Sequence, residues 1–110
     1  MKDWQFEGKS MVVAAGELKS MKIPAPDVAF LDKKFVLVSG TAIDNVSVMV
    51  GCGRVNIDIC DFTTATYNLV RTAGTDHIIE IPMPCASIAI TVDNSAGGSD
   101  VNVHFYGGSA

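Results

Sequence analysis

The sequence predicts an all-β fold: one antiparallel β-sandwich, jelly-roll-like, with no long helix. Three observations predict it. Apolar residues recur with period 2 in one segment after another, as in strands with one face in a core and one face polar. Turn-forming clusters interrupt these segments every ~8–15 residues, the rhythm of a sandwich. No stretch sustains the 3.6-residue apolar repeat of a long helix.

Taken in order, Lys9–Gly16 and Leu18–Ile23 read as strands parted by Gly16-Glu17. Pro24-Ala-Pro26 stiffens the chain, and Asp27–Lys34 has room for one helical turn with Asp27 as N-cap. Phe35–Val38 and Ile78–Ile81 are apolar on both sides, which predicts central or doubly covered strands. Val46, Val48 and Val50 alternate with Ser47 and Met49; Val55, Ile57 and Ile59 alternate with Arg54, Asn56 and Asp58. Gly51-Cys-Gly-Arg between these runs predicts a hairpin turn. Ile88, Ile90 and Val92 form one late strand, and Val101, Val103 and Phe105 another. The Asn94–Ser99 stretch predicts a longer hairpin loop joining them. The expected organisation is an N-terminal arm or first edge strand at 1–8, the sandwich at 9–106 and a flexible tail at 107–110.

The composition excludes several classes. Apolar residues make up 48% and charged residues 18% of the 110 residues, so the chain can bury a core and is not a disordered polymer. No apolar run approaches the ~20 residues of a membrane-spanning helix. The opening Met-Lys-Asp-Trp-Gln-Phe-Glu lacks the apolar centre of a signal peptide, which predicts a cytoplasmic product. A formal charge of −4 argues against a nucleic-acid partner, which asks for a basic face. Charge is also uneven. Six of the eight basic residues lie in 1–34, while 35–110 hold only Arg54 and Arg71 against seven acids. A body so poor in charge is expected to cover its strand faces with a partner.

No catalytic or cofactor-binding pattern emerges. Cys52, Cys60 and Cys85 are an odd number without an export signal, which predicts reduced thiols packed as small hydrophobes. His77 and His104 sit at strand positions expected to be solvated, with no nucleophile motif beside them. His77, Cys85 and His104 lack zinc-site spacing. Asp93, Asn94, Ser95 and Asp100 do not match an EF-hand and read as turn formers. Gly97-Gly98 has no following helix or lysine with which to cradle phosphate. No metal, cofactor or catalytic residue is therefore expected. The candidates for partner contact are the aromatics Trp4, Phe6, Tyr67 and Tyr106, of which Trp4, Tyr67 and Tyr106 are also the candidates for stacking a sugar.

The stretch Ser87-Ile-Ala-Ile-Thr-Val-Asp-Asn-Ser-Ala-Gly-Gly-Ser-Asp-Val-Asn-Val-His-Phe-Tyr-Gly-Gly resembles the terminal hairpin of small β-sandwich virion proteins of tailed bacteriophages. Jelly-roll trimers of the tumour-necrosis-factor and complement-like kind end in similar strands. The resemblance implies a non-enzymatic structural subunit that decorates or cements a protein shell such as a capsid. It also implies a homo-oligomer, trimer first and dimer second, and residence in the virion if the chain is phage-encoded. The alternative is a carbohydrate- or ligand-binding sandwich module.

Overall fold

The computed structural model describes residues 5–24, 33–52, 55–60 and 69–109. Nine strands run through them: β1 (Gln5–Val13), β2 (Leu18–Pro24), β3 (Lys33–Ser39), β4 (Val46–Cys52), β5 (Val55–Cys60), β6 (Val70–Ala73), β7 (Asp76–Glu80), β8 (Ser87–Asp93) and β9 (Val101–Ser109). Among the described residues the one helical element is a 3-10 turn at Ile43–Asn45. The helical turn expected at Asp27–Lys34 falls largely on residues outside this description, and Lys33 and Lys34 already belong to β3.

The strands form two antiparallel sheets, one in the order β1-β9-β3-β7-β6 and one in the order β2-β8-β4-β5. Pairing is nested along the chain. The first strand pairs with the last, β2 with β8, β3 with β7 and β4 with β5. Period-2 alternation decides what lies between the sheets. Val36 and Val38 of β3, Ile79 of β7 and Val103 and Phe105 of β9 point inward from one sheet. Val46, Val48, Val50, Ile88, Ile90 and Val92 meet them from the other. Phe105, 1% exposed, heads the largest fully buried side chains. Of the expected inward set, Ile90, Val92, Val103 and Phe105 are buried, and the side chain of Ile57 lies outside the description.

Two connections are hairpins. Cys52 pairs with Val55, as Gly51-Cys-Gly-Arg predicts. Ala73 pairs with Asp76 around a turn whose first residue, Gly74, has φ +63°, a conformation that suits glycine. The other connections carry the chain from one sheet to the other. This corrects the reading of Asn94–Ser99. The last two strands do not pair, because β8 is flanked by β2 and β4 while β9 is flanked by β1 and β3. Alternation looks the same in a hairpin and in an arch between sheets, and the loop is long enough to cross the ~10 Å that separates packed sheets.

The C-terminal boundary also moves. β9 continues past Tyr106 to Ser109, where a flexible tail was expected. Gly107 pairs with Glu7 and Lys34, and Gly108 with Phe6 and Lys33, so ladder bonding on both edges holds two residues that have no side chains to pack. Residues 5–8 are the start of β1, at the edge of the five-stranded sheet.

Candidate functional site

The five-stranded sheet has an outward face, and register arranges it in four rows. Val12, Asn102, Ser39, Asp76 and Ala73 form the first; Ser10, His104, Leu37, Ile78 and Arg71 the second. Gly8, Tyr106, Phe35 and Glu80 form the third, and Lys33 beside Gly108 stands in the fourth. The middle of this face is apolar. Ile78 is 46% exposed and Tyr106 37%, while Phe35 and Leu37 between them are half-buried. The His104 and Tyr106 rings lie 6.1 Å apart and 32° from parallel. Among the described residues, charge on this face is confined to the margin: Lys33, Arg71, Asp76 and Glu80. The two strands that are apolar on both sides, β3 and β7, are interior strands of their sheet, the first of the two expected alternatives, and the outer Ile78 of β7 reaches solvent. An exposed apolar centre with a polar margin is the anatomy of a protein contact.

A second feature lies at one end of the sandwich, a polar cleft of about 180 Å³ lined by Thr41, Asn45 and the Asp93–Ser99 arch. Its side chains are occupied with one another. Asn94, 3% exposed, donates through Nδ2 to the carbonyls of Val13, Ala14 and Ser99 at 3.1, 3.1 and 2.9 Å. Its backbone N–H donates to Glu17, and its carbonyl accepts from Gly16 and Gly97. One residue thus ties the β1–β2 arch to the β8–β9 arch. Asp93 Oδ1 accepts from the Ser95 hydroxyl at 2.5 Å and the Ser95 backbone N–H at 3.0 Å. Those two bonds, the hydroxyl first, hold the Asp93 carboxyl below its ordinary value. Asn45 Nδ2 donates to Thr41 Oγ1 at 2.8 Å.

Beneath the cleft, His77 corrects another expectation. It is 2% exposed, not a solvated surface histidine. Its register with Val38 puts it on the inner face. Nε2 lies 2.6 Å from the Thr41 carbonyl, which can only accept, so Nε2 carries a proton and donates it. Nδ1 lies 3.0 Å from the Thr72 hydroxyl and shares a hydrogen bond with it. Thr72 and His77 are opposite each other on β6 and β7, and the bonds tie that hairpin to the Thr41 loop. His104 is exposed on the opposite face of the same sheet, so topology keeps the two histidines apart.

Of the candidate contact residues, Tyr106 stands on the outer apolar face. Phe6 pairs through its backbone with Gly108 at the end of that face, and its side chain is outside the description. Trp4 and Tyr67 lie outside the described residues. Cys85 is a buried thiol in no disulfide; the side chains of Cys52 and Cys60 are outside the description. Phe35, Leu37 and Ile78 share the outer face with Tyr106, and sequence reasoning did not name them. Their signal was present: a run apolar on both sides in an antiparallel sheet has one face without a core to fill. No protein-family model matches this chain, and no curated protein matches it.

Proposed function

We propose that the chain is a non-enzymatic structural subunit that acts by assembling, with copies of itself and with a larger protein shell such as a capsid. The observation that carries this reading is the outer face of the five-stranded sheet, with Phe35, Leu37, Ile78 and Tyr106 at its centre and charges only at its margin. The nested strand order supports reading the sandwich as a jelly roll, a fold that serves as a shell-building unit. The charge-poor body supports it too, because packing Ser, Thr, Asn and apolar side chains against a neighbour desolvates few charges. The resemblance of residues 87–108 to virion proteins adds the location, a virion if the chain is phage-encoded. Sedimentation equilibrium of the purified full chain tests the reading. An oligomer at tens of micromolar, near the typical strength of a transient contact, is the expected result; a stable monomer throughout that range overturns it.

A further inference from the structure

We propose that the outer face of the five-stranded sheet is the contact with a second copy of this chain, related by a two-fold axis that lies in the interface at right angles to the strands. The proposal rests on the assembly reading above and says where and how the copies meet. Among the described residues the face carries two basic residues, Lys33 and Arg71, and two acidic ones, Asp76 and Glu80. Among the described residues none of the four has an ion-pair partner in its own chain. Their places in the ladder are complementary under this one rotation, which keeps each strand over its own copy and exchanges the first row with the fourth and the second with the third.

The exchange has definite consequences. Leu37, in the second row of β3, comes over Phe35 of the other copy, in the third row of the same strand. His104 comes over Tyr106 in the same way along β9. Arg71, second row of β6, comes beside the third-row Glu80 on the neighbouring β7 of the other copy. Lys33, fourth row of β3, comes beside the first-row Asp76 of β7. Each of these four charges thus meets its opposite, twice over by symmetry, around an apolar centre. A two-fold axis parallel to the strands instead stacks Lys33 on Lys33 and gives Arg71 the neutral Ser10. The self-complementary pattern is what an isologous contact requires.

The size is adequate. The sixteen places in the four rows, at ~4.8 Å between strands and ~6.8 Å between rows, cover about 520 Å² of each copy in projection, or about 1,000 Å² in the pair, the lower bound for a specific interface. A depression of about 340 Å³ lined by Leu37, Arg71, Asp76 and Ile78 leaves room on the face for the incoming Lys33 side chain.

Charge exchange tests the geometry. In the full chain, Arg71→Glu and Glu80→Arg each place like charges together across the axis, and each should weaken association about tenfold. The double variant R71E/E80R restores opposite charges and should return to within about threefold of the parent. Mixing the two single variants should give a heterodimer in preference to either homodimer, read by native mass spectrometry. Arg71 is exposed and Glu80 half-buried, and unchanged circular dichroism verifies that each variant is folded. An oligomer whose strength ignores all three variants overturns this interface while leaving the assembly reading intact. A parent chain that stays monomeric overturns both.

Discussion

Phe105 contributes to stability through the area it removes from water between the two sheets, and no smaller side chain fills its place. Phe105→Ala should lower unfolding free energy by about 3–5 kcal/mol in urea titration; a loss under ~1 kcal/mol would place the ring outside the core. Gly97 is constrained for a different reason. A Cβ there would collide with Asn94 Oδ1, and Asn94 cannot turn away without releasing three carbonyls. Gly97→Ala should therefore cost about 1–3 kcal/mol, the range of an overpacked site; a neutral result would show that the arch yields freely. Asp93 adds a pH dependence whose sign is fixed. Its folded carboxyl titrates below the ordinary 3.8, so its contribution is present above that value and is lost as pH falls through the lower folded value. Asp93→Asn removes the dependence. Between about pH 5 and pH 2 the parent's urea midpoint should fall more than that of the variant, and equal falls would refute the Ser95 bonds as the cause.

Elements show which parts of the fold were legible in the sequence. Strand positions were, because Val46–Val50 and Ile88–Val92 state their alternation directly, and so was the β4–β5 hairpin. Partner choice was not, since alternation places a strand's faces without naming its neighbours. That is why Asn94–Ser99 looked like a hairpin loop and is an arch. Strand β6, with its largely exposed Val-Arg-Thr-Ala, carries no apolar alternation to announce it. The candidate site was half legible: Tyr106 was read from its own strand, whereas Phe35, Leu37 and Ile78 needed the register of three strands to become one patch. The edges hold a further device. Lys9 of β1 donates to the Lys22 carbonyl of β2 at 3.0 Å, and Lys19 of β2 donates to the Val12 carbonyl of β1 at 3.2 Å. Each lysine crosses from its own sheet's edge and caps an outward carbonyl of the other, which blocks strand addition there. The double variant K9A/K19A should stay folded and gain time-dependent light scattering with thioflavin fluorescence; solutions as clear as the parent's would show that the caps are incidental.

At the scale of the whole molecule, charge and topology act together. The basic residues gather in 1–34 and supply the lysines that guard the β1–β2 edge, while the remaining 76 residues carry nine charges. Most of what that body displays to solvent is therefore neutral, and on the five-stranded sheet it is apolar at the centre. The lysines block strand addition at the β1–β2 end, and in the proposed assembly the copies meet through the face, a contact that closes into a pair. Thermal unfolding reports on this directly. If copies meet through the face, the folded state is stabilised by mass action, and the melting temperature must rise with protein concentration. Each tenfold increase in concentration adds about 1.4 kcal/mol per dimer, which for a chain of this size corresponds to a rise of a few degrees. The parent should therefore melt a few degrees higher at a hundred micromolar than at ten. Ile78→Lys puts a charge at the centre of the face without touching the inner core, so its melting temperature should be independent of concentration over the same range. A concentration-independent parent would mean that the neutral face is borne by a monomer, and a concentration-dependent I78K chain would mean that the copies meet elsewhere.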